Sequence, residues 1–178
     1  MKSKLIKFFY FLPIILFVAC SKPQPQKPVS SSQDAMQLRD SMAKQEFELD
    51  KKIILEYIER HPNQKFVNYS DGFWLSSDMK SNNAITKNQQ ITYTYSVTNF
   101  EDEEIYSAQD IGNQYAVIGK TRQIKGINEA FQHLSEGEKA TLLIPSYMAY
   151  GFSGDGKKIL PAQPIVVHLE ILELKNIP

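Results

Sequence analysis

The chain has 178 residues, 42% of them hydrophobic, with 20 basic against 20 acidic side chains. That length suits one globular domain with accessory segments and falls short of two. A formal charge of zero, with no basic stripe, excludes a nucleic-acid surface, which needs clustered lysine and arginine against phosphate.

Lys2, Lys4 and Lys7 open the chain and an apolar run follows over residues 8–19, broken by Pro13. The run is shorter than the about 20 residues that span a bilayer, so the pattern reads as a secretory signal. It ends in Phe17-Val18-Ala19-Cys20, and Cys20 is the sole cysteine. This resembles a bacterial lipobox, which makes Cys20 the expected lipidation site and membrane anchor. The alternatives are an ordinary signal peptide with a chance cysteine, or an uncleaved anchor. Loss of the three leader lysines leaves 17 basic against 20 acidic residues, a net of −3. Residues 20–33 hold Pro23, Pro25 and Pro28 among Ser, Gln and Lys, a composition for an extended, disordered tether. Ser21 does not look like an inner-membrane retention signal, so the expected location is the outer membrane, facing the periplasm.

Residues 34–61 lack Gly and Pro and stop at Pro62, predicting a helix. Leu38, Met42, Leu49 and Ile53 share one face, and Phe47, Ile54 and Ile58 form a neighbouring stripe. The helix either lies against the domain or projects from it as a dimerising arm. Against pairing, Asp50 interrupts the Met36, Ala43, Tyr57 series. Strands are predicted over 66–69 and 73–75, around Asp71-Gly72, and over 91–98, where Ile91, Tyr93, Tyr95 and Val97 alternate with Thr92, Thr94, Ser96 and Thr98. Further strands follow over 114–118 and 140–144, with a short helix over 126–134 between them. The last strand, 165–174, sets Ile165, Val167, Leu169 and Ile171 on one face and turns His168 outward. The expected class is α+β: an antiparallel sheet wrapped around one short helix, after an N-terminal helix, with residues 66–178 as the domain.

Several sharper motifs fail. Residues 151–158 approach a phosphate-binding loop, but Lys158 stands where Ser or Thr must hold magnesium, and Pro161 and Pro164 bar the helix that should follow. A flexible flap is the expectation there. Glu101-Asp102-Glu103-Glu104 lacks the alternating spacing of a calcium loop and reads as solvated. His61, His133 and His168 have neither metal nor triad spacing.

The order of residues is similar to the FKBP family of peptidyl-prolyl isomerases. The resemblance rests on Ile91-Thr92-Tyr93-Thr94, Ile105-Tyr106-Ser107-Ala108, Gly119, Ile124-Lys125-Gly126, Glu136-Gly137-Glu138 and Ile144-Pro145-Ser146-Tyr147-Met148-Ala149-Tyr150-Gly151. Leu160-Pro161-Ala162-Gln163 and Ile165-Val166-Val167 complete it. The anchor, arm and Asp71-Gly72-Phe73-Trp74 further resemble gliding-motility-associated isomerase lipoproteins of Bacteroidetes. The resemblance implies an apolar pocket that rotates X–Pro bonds without metal or cofactor. Its catalytic residues would be Tyr93 on the wall, Tyr150 as hydroxyl donor and Ile124 as backbone donor. Ile105, Tyr106, Gln123, Ile127 and Val167 would bind substrate. Ile105, Ile127, Val167 and Gln114 stand where the family often has aromatic rings, and Tyr106 where it keeps an aspartate. These losses imply a wider, less selective pocket and weak turnover. The expected partners are proline-containing segments of exported proteins. The alternatives are a scaffold that binds without turnover in a surface or gliding machinery, and a dimeric chaperone clamp.

Overall fold

A computed structural model describes residues 32–69, 72–78, 85–86, 89–120 and 123–177. Cys20, the leader and nearly all of the tether lie outside the described residues, as does Asp71. Helix α1 (Ser32–Arg60) begins slightly earlier than the composition predicts and ends just ahead of Pro62. No described helix is long and apolar enough to cross a membrane.

The remaining elements are β1 (Val67–Asn68), β2 (Trp74–Ser77), β3 (Gln89–Thr98), β4 (Glu104–Tyr106), α2 (Ala108–Ile111), β5 (Gln114–Val117), α3 (Lys125–Ala130), β6 (Lys139–Ile144) and β7 (Ile165–Asn176). A 3-10 turn, Phe131–His133, extends α3, and two more, Ser146–Met148 and Gly151–Ser153, follow β6. Two elements went unread in the sequence. Strand β4 follows an acidic run, and α2 is a single turn started by a reciprocal cap between Ser107 and Asp110.

All described pairings are antiparallel, in the order β1-β2-β6-β7-β3-β4, with β5 also on β3. The long β3 and β7 form the spine, Val97 opposite Val167 and Tyr93 opposite Ile171. One extra residue on β7 at this point shifts the register. The bulge returns Leu174 to the core side after Ile171, so the inward series survives a break in strict alternation.

The two faces of the sheet are buried differently. On the concave face Ile91, Tyr93, Leu142, Ile144, Val167 and Ile171 pack around Ile127, Ala130 and Phe131 of α3 and its 3-10 extension. Close approach of α3 depends on Gly126, where an added Cβ would stand 2.6 Å from the Ile144 side chain. On the opposite face Trp74, Leu143 and Val166 meet Ile54 and Tyr57 of α1, with Phe100 beside them. The Phe47, Ile54 and Ile58 stripe is thus the one that packs. Leu38, Met42 and Leu49 are 59%, 53% and 51% exposed. Asp50, the residue that spoils the heptad, is 1% exposed.

Candidate functional site

Between β3, β4, α2 and the loop after β6 lies a cleft of about 290 Å3, lined by Tyr95, Val97, Tyr106, Asp110, Ile111, Tyr150, Asp155 and Lys157. Each wall follows from a local feature. Tyr95 and Val97 point inward along β3 by strand alternation. Tyr106 ends β4 just before the Ser107 cap, and the cap aims the helical turn carrying Asp110 and Ile111 at the same space. Tyr150 follows the 3-10 turn Ser146–Met148, which begins directly after Pro145 at the end of β6.

The stretch read as a flexible flap is cross-braced. Asp155 sits between Gly154 and Gly156, both at positive φ, and its Oδ1 accepts from the N–H groups of Lys157 at 2.8 Å and Ile159 at 2.9 Å. Its Oδ2 accepts from the Tyr106 hydroxyl at 2.5 Å. Lys158 donates from Nζ to the Ile105 carbonyl at 2.9 Å and lies over the Tyr106 ring. Ala162 N–H donates to the Gly151 carbonyl at 2.8 Å. The bonds to Tyr106 and Ile105 fasten the loop to β4, and the others brace it within itself.

Burial raises the Asp155 carboxyl, but the Tyr106 hydroxyl and the Lys157 and Ile159 N–H groups outweigh it and hold the group below its ordinary range. The bond to Asp155 raises Tyr106 in turn. Burial, then the charge of Asp155, raises Tyr150; burial, then Tyr150, pushes Tyr95 up to about 12. The Ser107 hydroxyl and N–H likewise hold Asp110 below its ordinary range, so at neutral pH the cleft presents protonated phenols as donors beside two carboxylates.

Only part of the expected site comes together here. Tyr150 and Tyr106 line the cleft, and Ile105 is half-buried beneath it, packed on the core. Tyr93 differs from expectation. It is 0% exposed, edge-to-face with Phe131 at 5.0 Å, and its hydroxyl has no hydrogen-bond partner among the described residues. The tyrosine at the cleft is Tyr95, its ring stacked 6.0 Å beyond that of Tyr93. Ile127 and Val167 are likewise wholly buried and belong to the core rather than to an open floor. Ile124 stands at the N-terminal end of α3, half-buried against the core, with Gln123 before it; neither lines the cleft. The site is also more polar than an apolar pocket. Position 106 holds no aspartate, yet a carboxylate reaches the Tyr106 hydroxyl from Asp155.

Sequence reasoning missed Tyr95, Asp110, Asp155 and Lys157. Alternation does put Tyr95 on the same face as Tyr93, and Gly154-Asp155-Gly156 does mark a tight turn. What neither pattern carries is where the core ends along β3, or that the loop folds back to β4. Among the described residues no group of acids, histidines or cysteines could hold a metal ion.

The arrangement suits rotation about an imide bond. The barrier of about 20 kcal/mol comes from amide resonance, which the twisted state gives up. Rings that exclude water favour that less polar state, and phenols that donate to the carbonyls flanking the imide hold the peptide in place, with no covalent step, each ~1.4 kcal/mol of selective stabilisation giving tenfold in rate.

Residues 81–172 match the family described as FKBP-type peptidyl-prolyl cis-trans isomerase. The chain is 29% identical over 85 residues to FK506-binding protein 3 of Dictyostelium discoideum, across 46% of this chain and 44% of that protein. It is 26% identical over 113 residues to the human peptidyl-prolyl cis-trans isomerase FKBP9, across 61% of this chain and 20% of the relative. It thus spans less than half the length of either relative. Among solved structures, the crystal structure of FkpA from Escherichia coli superposes with a TM-score of 0.59 at 20% identity, covering 83% of this chain and 75% of that one. The N-terminal domain of FKBP42 from Arabidopsis thaliana superposes at 0.55 with 14% identity, covering 63% and 93%. At these identities the structures share the fold, and the family rests on the sequence match over β3 to β6, most of β7, α3 and the cleft. The chain belongs to the FKBP-type peptidyl-prolyl cis-trans isomerase family.

Proposed function

We propose that this chain is a peptidyl-prolyl isomerase that assists the folding of exported proteins while tethered to a membrane through a lipid on Cys20. The observation that carries the catalytic part is the cleft in which Tyr95, Tyr106 and Tyr150 converge beside Asp155, within the matched residues. A proline ring enters against Tyr95 and Val97. Tyr150, kept protonated by burial, donates to a substrate carbonyl flanking the proline. The leader, lipobox-like Cys20 and proline-rich tether support export and a lipid-held position on the outer membrane, facing the periplasm. A place in a gliding or surface machinery rests on the sequence resemblance alone.

The test is a cis–trans exchange assay on X–Pro peptides with the chain freed of its leader. Saturable acceleration, lowered by Tyr150→Phe, is the expected result. A folded protein that gives no rate above background on any proline peptide defeats the reading. Binding without acceleration would leave a scaffold that holds proline segments. The outward residues Leu38, Met42 and Leu49 of α1 support dimerisation through that helix. Sedimentation of the chain with and without residues 34–45 tests it.

A further inference from the structure

We propose that the groove between α1 and the loop following β6 is a second binding site. It takes apolar side chains of the same polypeptide whose proline occupies the cleft. The proposal rests on the isomerase reading and names the kind of client that reading serves.

The groove follows from where α1 runs off the sheet. At about 100° per residue, Met36, Ala43, Phe47 and Ile54 fall within a stripe roughly 40° wide. Ile54 is buried under the sheet's outer face, and the same stripe continues towards the N-terminus beyond the last strand. There it faces the loop: the Phe47 and Tyr147 rings lie edge to face at 5.8 Å. Between helix and loop opens a cavity of about 540 Å3, its apolar walls formed by Ala43, Phe47, Tyr147, Gly151 and Phe152. Phe152 is 61% exposed and Tyr147 45% exposed, so two rings stand open to water across a concave gap. The volume falls within the usual range for binding sites, about 300–1,000 Å3.

Hydrogen bonds brace the loop on both sides. Asp50 Oδ2 accepts from the Ser146 N–H at 2.8 Å and from its hydroxyl at 2.7 Å. The Tyr147 hydroxyl donates to the Gly72 carbonyl at 3.2 Å. The groove is therefore preformed.

Continuity with the cleft identifies the occupant. Tyr150 lines the cleft, and the next residues, Gly151 and Phe152, line the groove. Neighbouring Cα atoms are about 3.8 Å apart, so an extended chain rising ~3.3 Å per residue passes from one site to the other within a few residues. Lys44 and Glu46 at the rim oppose each other in sign, so the surface selects for apolarity and not for charge. A second copy pairing through Leu38, Met42 and Leu49 would use a stripe about 140° round the helix and leave the groove open.

The test compares a tetrapeptide holding one X–Pro bond with a peptide of about a dozen residues around the same bond. The longer peptide carries leucine and phenylalanine roughly three residues from the proline, on each side. Ala43→Glu places a charge in the groove from an exposed helix position, and Phe152→Ser removes one wall. Wild type should favour the longer peptide about tenfold in kcat/KM and in Kd. Both variants should lose that preference while the tetrapeptide rate stays within about twofold. Equal handling of the two peptides by wild type overturns the proposal, as does a preference that survives both substitutions. So does a wild-type dimer that Ala43→Glu dissociates with no change in peptide affinity. If wild type isomerises neither peptide, the isomerase reading fails. The groove is then judged by whether the longer peptide still binds and shifts the NMR signals of Phe47 and Phe152.

Discussion

Asp50 offers the sharpest test of how α1 is joined to the domain. Asp50→Ala leaves two donors of Ser146 without their acceptor in a site where aspartate and serine are 1% and 2% exposed. An orphaned buried donor costs about 1–3 kcal/mol, so the loss should be about 3 kcal/mol for the pair. For a protein of this size that is a fall in Tm of about 10 °C. Because the Ser146 loop also presents Tyr150, KM for a proline peptide should rise in the same variant. Asp50→Asn keeps an acceptor and should cost less, and it gives the pH dependence its sign. Burial, opposed by the Ser146 bonds, raises the Asp50 carboxyl above its ordinary value of 3.8. The folded protein therefore binds that proton more tightly than the unfolded chain. The resulting stabilisation is complete below 3.8 and is lost as pH rises through the raised folded value. The advantage of wild type over Asp50→Asn, measured by urea unfolding across acidic to neutral pH, should narrow as pH rises. An Asp50→Ala variant melting within about 2 °C of wild type, or a wild-type advantage that grows with pH, would refute the reasoning.

Tyr93→Phe removes a buried hydroxyl that has no partner among the described residues, so urea unfolding should show stability unchanged or raised by about 1 kcal/mol, and catalysis unaffected. Tyr95→Phe and Tyr150→Phe should instead lower kcat/KM several-fold with little effect on unfolding. Asp155→Asn should let the Tyr106 phenol fall back towards its ordinary value, read by ultraviolet titration; an unmoved phenol would show that the Asp155 bond is not made in solution. Gly126→Ala forces a methyl against Ile144 and should destabilise by about 1–3 kcal/mol in the same unfolding assay, whereas a neutral result would mean that α3 can shift away from β6.

The spine of the fold is legible in the residues because its physics is local. Strand alternation over β3 and β7 identifies the inward set Ile165, Val167, Leu169 and Ile171, and all of these are buried. Absence of Gly and Pro up to Pro62 marks α1. Of the site, Tyr150 and Tyr106 are reached through the family resemblance and not through the pattern of their own elements. Tyr93 and Tyr95 share one face and differ in how much of the domain covers them, a property of α3 and the β6 loop and not of β3. Asp155 depends on a contact 49 residues away in sequence, and Asp50 on one 96 residues away. Read along the helix, Asp50 is merely a fault in an apolar repeat; its partner lies at the far end of the chain. Strand β4 is three residues long, too short for periodicity to register.

Because the C-terminal half of α1 is stitched into the outer face of the sheet, its exposed first half is a stiff stalk and not a hinge. At 1.5 Å per residue the roughly 11 residues ahead of Ala43 extend about 16 Å beyond the groove. Tyrosines and stalk turn as one piece, so whatever holds the tip sets the compass heading of the isomerising mouth. Any pull along that rod passes the Phe47–Tyr147 contact and then reaches the Asp50–Ser146 joint, one turn of chain ahead of Tyr150.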